Sequence, residues 1–168
     1  MATTAYGLDN LSDRLTRSRS FRFIENGAGT YVADVLVPAY AYIDDIALHA
    51  EALWAAATSA AAVVGDYNVV AGSPPTLGTV ITANGFFAST NLKATDLLAG
   101  ESINFYGAGG VQGSYVTDIA APGSQITKRV AVTDRFIRCS ITSVGAGTTG
   151  RTIFVVKYTP SVNVEVTQ

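Results

Sequence analysis

Residues Arg129 to Tyr158 read RVAVTDRFIRCSITSVGAGTTGRTIFVVKY, and this stretch decides the fold of the chain. It contains two runs rich in β-branched and aromatic residues, which suit a pleated and half-buried surface. Successive side chains of a strand point to opposite sides, so each run divides into two faces. The pattern predicts a long antiparallel hairpin in the middle of a sheet. In the first arm, one face would carry Phe136, Arg138, Ser140 and Thr142 and the other Ile137, Cys139, Ile141 and Ser143. In the second arm, one face would carry Ile153, Val155 and Lys157 and the other Thr152, Phe154, Val156 and Tyr158.

The turn between the two arms, Gly145 to Gly150, matches the dinucleotide fingerprint G-x-G-x-x-G. That fingerprint holds a pyrophosphate only when a helix N-terminus follows it. Here the residues that follow, Arg151 to Tyr158, have a strand pattern. We therefore reject a nucleotide site and interpret the glycines as a flexible hairpin tip.

The composition indicates one all-β domain. The chain has 168 residues, 16 glycines and only 14% charged residues, and its many short apolar runs are separated by glycine. This pattern is typical of a sandwich or barrel. A formal net charge of -2 argues against nucleic-acid binding, which needs a dense positive surface.

Several segments bear on where such a protein resides. Cys139 is the single cysteine, so no intrachain disulfide is possible, and its strand position favours a buried, inert thiol. The first ten residues, MATTAYGLDN, have no basic segment followed by an apolar run and so do not resemble a secretory signal. The apolar run Ala52–Val64 is too short to cross a bilayer. We expect a soluble protein that is made in a cytoplasm and does not bind membranes.

Charge patterning divides the chain into three parts: an extended N-terminal arm (1–20), a β-sandwich domain (21–160) and a C-terminal tail (161–168). The arm and the residues just after it are basic. Either this segment is a solvated leader, or it reaches across an acidic neighbouring protein. Its candidate contact residues are Arg14, Arg17, Arg19 and Arg22.

The segment from Ile43 to Val64 is ambiguous. Alternation after Ile46 favours a strand, whereas the alanine run Ala55–Ala62 favours a helix by propensity. We choose strand, turn at Trp54–Ser59 and strand again, with a helix over Leu48–Val63 as the alternative.

Further along, Leu77–Ala83 is predicted to be a strand that ends in a turn at Asn84-Gly85. The next residues, Phe86 and Phe87, are either packing anchors or exposed contacts. Residues Tyr106–Ser124 are rich in glycine and indicate a long surface loop, and such loops are often functional.

The sequence has no identifiable active site. His49 is the only histidine, so a metal site or a catalytic pair would have to include it. Together with the nearby Glu51 it is equally well explained as a pair of solvated side chains. Asp44 and Asp45 would point to opposite faces of a strand, which does not suit an acid and a base that act on one bond. We therefore expect neither catalysis nor a bound metal or cofactor.

Four runs of sequence carry a resemblance to a known group of proteins: TRSRSFRFIENGAGTYVADVLVPAYAYIDDIALHAEALW, VGDYN, ANGFFASTNLKATDLLAGESINF and SITSVGAGTTGRTIFVVKY. Their order resembles the small accessory capsid proteins of tailed bacteriophages over residues 30–158. The resemblance implies a jelly-roll-like antiparallel sandwich that binds the outside of the phage head. The arginine-bearing arm is not part of that pattern.

Two functional hypotheses follow. In the first, the chain is a virion structural protein that cements capsomers, with the major capsid protein and further copies of itself, as a homotrimer, as partners. Such a contact would use exposed aromatic side chains, since aromatics carry much interface energy; the candidates are Tyr40, Tyr42, Phe86 and Phe87. In the second, it is a receptor- or glycan-binding module of a tail or head fibre, and the loop Tyr106–Ser124 carries recognition. A small hydrolase built around His49 is a distant third.

Overall fold

The computed structural model describes residues 15–105, 111–116 and 128–160. These residues form eight strands and confirm the predicted all-β class. No helix in the described ranges is long and apolar enough to span a membrane. The strands are β1 Arg17–Ile24, β2 Gly29–Val37, β3 Tyr42–Ala52, β4 Ser59–Val70, β5 Thr76–Asn91, β6 Ser102–Asn104, β7 Arg135–Val144 and β8 Arg151–Thr159.

The strands form two four-stranded antiparallel sheets, with order β1-β8-β3-β6 in sheet 1 and β2-β7-β4-β5 in sheet 2. Successive strands alternate between the sheets, except for the pair β4 and β5. This is the strand order of a jelly roll, so the predicted β-sandwich is confirmed. The core lies between the sheets, because one face of each sheet is apolar.

The predicted hairpin between β7 and β8 is wrong. The two strands lie in different sheets, with β7 between β2 and β4 and β8 between β1 and β3. The prediction that each arm lies in the middle of a sheet is correct, and so is the assignment of their faces. Ile137, Cys139 and Ile141 are buried and face the core, as are Phe154 and Val156 of the facing sheet.

The connection from β7 to β8 is packed and is not a flexible tip. Gly145 has a φ of +89°, as a turn glycine would. Gly150 has another role: a Cβ atom there would lie 2.5 Å from Cγ of Trp54. The indole of Trp54 in turn donates a hydrogen bond to Oγ1 of Thr152 at 2.9 Å. The glycines of the motif therefore allow close packing where the chain passes from one sheet to the other.

The ambiguous segment is strand, turn and strand, as predicted, and the alternative helix over Leu48–Val63 is wrong. Strand β3 ends at Ala52 and β4 begins at Ser59. Ala60 and Ala62 are buried between the sheets, where small side chains fit closely. Tertiary packing thus overrides the helix propensity of the alanine run.

The predicted turn at Asn84-Gly85 is also wrong, because β5 continues through it. The dipeptide lies in an irregular part of the ladder, where Val64 faces Phe87 and Asp66 faces Thr82. The backbone of the 113–115 segment bonds here, including Tyr115 N to Gly85 O at 2.8 Å. A Cβ on Gly85 would lie 2.3 Å from the Tyr115 ring, so this glycine provides space for a covering segment.

The N-terminal strand begins at Arg17, four positions before the predicted start of the sandwich at residue 21. Residues 17–20 pair with β8 and so belong to sheet 1. The rest of the predicted arm, 1–14, and the predicted tail, 161–168, lie outside the described residues. The division into arm, sandwich and tail stays a prediction.

The packed crossing between the sheets generates a testable expectation. Gly150→Ala should lower the free energy of unfolding by about 1–3 kcal/mol, because the new methyl group overlaps the Trp54 ring. The control is Thr148→Ala on the same connection, where the side chain is exposed and the change should stay within about 0.5 kcal/mol. Urea unfolding followed by tryptophan fluorescence measures both. Equal stability of the two variants would contradict the packed connection.

Candidate functional site

Among the described residues, the side chains with catalytic potential do not assemble into a site. Within the described ranges, no group of three or more His, Cys, Asp and Glu side chains is close enough to hold a metal ion. His49 lies on β3 opposite Ile153 and Ser102, well within sheet 1. Cys139 is fully buried, and this burial raises the pKa of its thiol, which therefore stays protonated and inert.

The main cluster of charged groups is a buried pair between Arg135 and Asp66 on adjacent strands of sheet 2. Nη1 of Arg135 lies 3.4 Å from Oδ2 of Asp66. The Tyr115 hydroxyl donates to Oδ1 of the same carboxylate at 2.6 Å. Nη2 of Arg135 donates to the backbone carbonyls of Lys128 at 2.5 Å and Arg129 at 3.2 Å.

This network anchors chain segments and does not form a reaction centre. Its hydrogen bonds attach the 111–116 segment and residues 128–129 to the edge and end of sheet 2. Sequence reasoning missed this network, although a signal was present. Arg135 lies two and four positions before Ile137 and Cys139 on the same strand, so it shares their face and points into the core. A charge on a core face needs a buried partner of opposite sign.

The predicted aromatic contacts divide into two pairs. Phe86 and Phe87 are fully buried, and Phe86 packs edge-to-face against Phe105 and Tyr115, with ring centroids 6.1 and 5.3 Å apart. Phe86 and Phe87 are therefore packing anchors of the core and are not exposed for contact with a partner. Tyr40 and Tyr42, by contrast, are exposed by 47% and 41%.

Tyr40 is held in an uncommon conformation at the turn before β3. Its φ is +61°, a left-handed value that a bulky residue adopts only when its surroundings impose it. Tyr40 N donates to Ala131 O at 2.7 Å, and Ala39 N donates to Oδ1 of Asp134 at 2.7 Å. The backbone is thus fixed on both sides while the ring points into solvent.

Tyr42 lies two residues further on, and its ring stacks with Arg129. The guanidinium carbon of Arg129 lies 4.9 Å from the ring centroid of Tyr42 and 5.1 Å from that of Phe105. Nη1 of Arg129 also donates to the Tyr42 hydroxyl. The guanidinium of Arg129 therefore holds the exposed Tyr42 ring in place, so the ring is preorganised for contact.

These tyrosines belong to a larger exposed apolar surface at one end of the sandwich, which we call the Tyr40 end. We define the Tyr40 end as residues 15–17, 38–42, 69–76, 128–134 and 158–160. An open groove is present here between the β4–β5 loop and Thr133 and Asp134. Exposed apolar side chains at a contiguous surface mark interaction sites. Those of the Tyr40 end are Leu15, Tyr40, Tyr42, Val70, Val130 and Val132.

The predicted arginine contacts are partly gathered at this end. Arg14 lies outside the described residues. Arg17 pairs in register with Tyr158 and Tyr42 with Thr159, so both residues lie at this end of sheet 1, on opposite sides of β8. Arg19 follows along β1. Arg22 lies farther from this end and is bound to Glu51, with Nη2 and Oε2 2.5 Å apart.

Comparison with known proteins gives a fold and no family. No protein-family model matches the chain, and no curated protein matches it significantly. Among solved structures, a chain from the acid-stable capsid of Helicobacter pylori bacteriophage KHP30 matches with a TM-score of 0.51 and 14% identity, covering 88% of this chain and 90% of that one. The fold is that of a phage capsid chain.

A chain from the capsid of Ralstonia phage GP4 also matches, with a TM-score of 0.48 and 15% identity over 88% of this chain and 86% of that one. The expected resemblance to capsid-associated phage proteins is thus confirmed at the level of fold by the KHP30 chain. At such low identity the likeness says nothing about individual residues.

The buried pair predicts unequal costs for two similar substitutions. Asp66→Asn should destabilise the fold by about 3–5 kcal/mol, because it leaves the Arg135 charge buried without a counter-charge. Asp34→Asn removes the partner of Arg138 in a pair whose side chains are 29% and 22% exposed, and should cost no more than about 1 kcal/mol. Urea denaturation of both variants tests the difference. Similar midpoints would mean that the buried pair does not anchor the fold.

The Tyr115 hydroxyl predicts a loss of stability in alkali. Burial, followed by the hydrogen bond to Asp66, raises the pKa of Tyr115 to about 12 from 10.0. Between these two values the unfolded chain loses this proton and the folded chain keeps it, so stability falls as pH rises from 10 toward 12.

Tyr115→Phe removes this proton, so the loss of stability between pH 10 and 12 should be smaller by up to about 2 kcal/mol. At neutral pH the variant should be less stable than the original chain, because the hydrogen bond to Asp66 is lost. Urea midpoints of both proteins between pH 9 and 12 give the difference, since the two proteins differ only at position 115. Parallel curves would show that Tyr115 ionises normally.

Proposed function

We propose that this chain is a structural protein of a bacteriophage head, specifically a decoration or cement protein that binds the outer surface of the shell and bridges capsomers. Its proposed partners are the major capsid protein and further copies of the chain in a homotrimer. In this role the protein is made in the host cytoplasm and becomes part of the virion. Cementing requires contact area and no catalysis, cofactor, nucleic acid or membrane.

The fold supports the proposal only in general terms. A jelly roll occurs in capsid proteins and also in lectins and cupins. The likeness to the KHP30 capsid chain covers most of both chains, but a shared fold does not fix a function. The more specific support for the proposal therefore comes from the surface of the sandwich.

The observation that carries it is the Tyr40 end. Six exposed apolar side chains are gathered there, including Val132 with 71% exposure. Tyr40 is presented in a conformation that costs on the order of 1–3 kcal/mol, which is typical of residues retained for a function. Tyrosine is one of the residues enriched in interface hot spots, and the exposed apolar side chains around Tyr40 would exclude water from such a contact.

The decisive experiment measures binding of the purified chain to phage heads assembled without it. The variant Tyr40→Asn/Val132→Ser should reduce the affinity for heads at least about tenfold, since each lost hot-spot contact is worth 1 kcal/mol or more. Asparagine tolerates the left-handed backbone at position 40, so the fold is preserved. The matched control is Ile24→Ser/Val144→Ser, which removes two exposed apolar side chains at the other end.

The control variant should bind as the original does. Failure of the unmodified chain to bind heads would refute the proposal. Binding to host cells or to a glycan array instead, with no binding to heads, would favour the receptor- or glycan-binding alternative. Equal weakening by both double variants would place the contact elsewhere on the sandwich.

A further inference from the structure

Strand β1 forms one edge of sheet 1 and is paired on one side only. All eight of its residues, Arg17–Ile24, are in register with β8. No other strand of the described chain lies on its outer side. An edge of this kind presents a row of backbone N–H and C=O groups to which another extended chain can bond.

The first part of β1 extends beyond the core and is not covered by sheet 2. Cross-strand partners point to the same face, and the partners of Arg17, Arg19 and Phe21 in β8 are buried side chains. The β1 residues on this face are nevertheless exposed, and Phe21 has 39% exposure. Only Phe23, near the end of the strand, is buried. Sheet 2 therefore covers β8 but leaves a notch beside β1.

Two of the side chains that face this notch, Arg17 and Arg19, are basic. Arg17 and Arg19 make no hydrogen bond or ion pair with any described residue. Three other strand arginines are paired: Arg22 with Glu51, Arg135 with Asp66 and Arg138 with Asp34. Two guanidinium groups at alternate positions of one strand suit carboxylates at alternate positions of a second strand.

We propose that β1 is a docking strand for an extended acidic segment of a different protein. That segment adds to sheet 1 by backbone hydrogen bonds along the open edge of β1. Two of its acidic side chains, separated by one residue, bind Arg17 and Arg19, and an apolar side chain further along packs on Phe21. This mode of recognition takes its affinity from the backbone and its specificity from alternate side chains.

The sequence argues against a second copy of this chain as the occupant. None of its 13 Asp and Glu residues is followed by another at the second position, so no segment has two carboxylates at alternate positions of a strand. The inference rests on the strand edge and its charges, and does not depend on the proposed role in the phage head.

The experiment uses the full chain and two synthetic peptides with blocked ends, LTETETL and LTKTKTL. Each peptide places two charges and two leucines on one face, so either strand direction allows the same contacts. We expect the acidic peptide to bind at concentrations below about 1 mM and to slow hydrogen exchange of the backbone amides of β1. The basic peptide should not bind, and added salt should weaken the acidic one.

The variant Arg17→Glu/Arg19→Glu should lower the affinity for the acidic peptide at least about tenfold. The control Arg151→Glu/Lys157→Glu has the same net charge but changes the opposite face of sheet 1, and should alter the affinity less than about threefold. Absence of binding would overturn the proposal and assign the arginines to protection of the edge against pairing. The proposal would also be overturned if the peptide slowed hydrogen exchange only outside β1, or if the two variants lowered the affinity for the acidic peptide equally.

Discussion

The core of this protein depends on the burial of two apolar strand faces against each other. β7 contributes Ile137, Cys139 and Ile141, and β8 contributes Phe154 and Val156, and all five side chains are fully buried. Burial of each large side chain is worth about 1.5–3 kcal/mol. A hairpin would place these faces side by side in one sheet and require another layer to cover both. The chain instead crosses between the sheets, so that the apolar face of β7 and the apolar face of β8 both line the core between the sheets.

The crossing makes the two ends of the sandwich different. At the end where β7 leads into β8, Oε2 of the buried Glu25 accepts hydrogen bonds from Ala55 N at 2.8 Å and Gly150 N at 3.0 Å. One carboxylate thus joins three connections, and Trp54 fills the space beneath them. At the Tyr40 end, the described residues form no comparable closure and expose tyrosines and valines.

The arginines show how the same side chain serves structure or contact according to its surroundings. Arg135 is buried with Asp66 and attaches two segments to sheet 2. Arg138 is bound by both oxygens of Asp34, at 2.6 and 2.8 Å, and its guanidinium carbon lies 5.2 Å from the Tyr67 ring centroid on the outer face. Arg17 and Arg19 lie on an open edge without described partners. The first two are already neutralised, whereas Arg17 and Arg19 have no counter-charge among the described residues and suit a carboxylate of another molecule.

Local features of the sequence determined that β7 and β8 are strands and which of their side chains share a face. Alternation placed Ile137, Cys139 and Phe154 on core faces, because the two-residue period of a strand depends on backbone geometry alone. It also placed Arg135 inward, although its partner Asp66 is 69 positions away and could not be inferred. Only the tertiary structure decided that β7 and β8 pair with different neighbours, since glycine-rich connections suit hairpins and crossings equally. Only it separated Phe86 and Phe87 from Tyr40 and Tyr42, because the exposure of an aromatic side chain depends on what the rest of the chain packs against it.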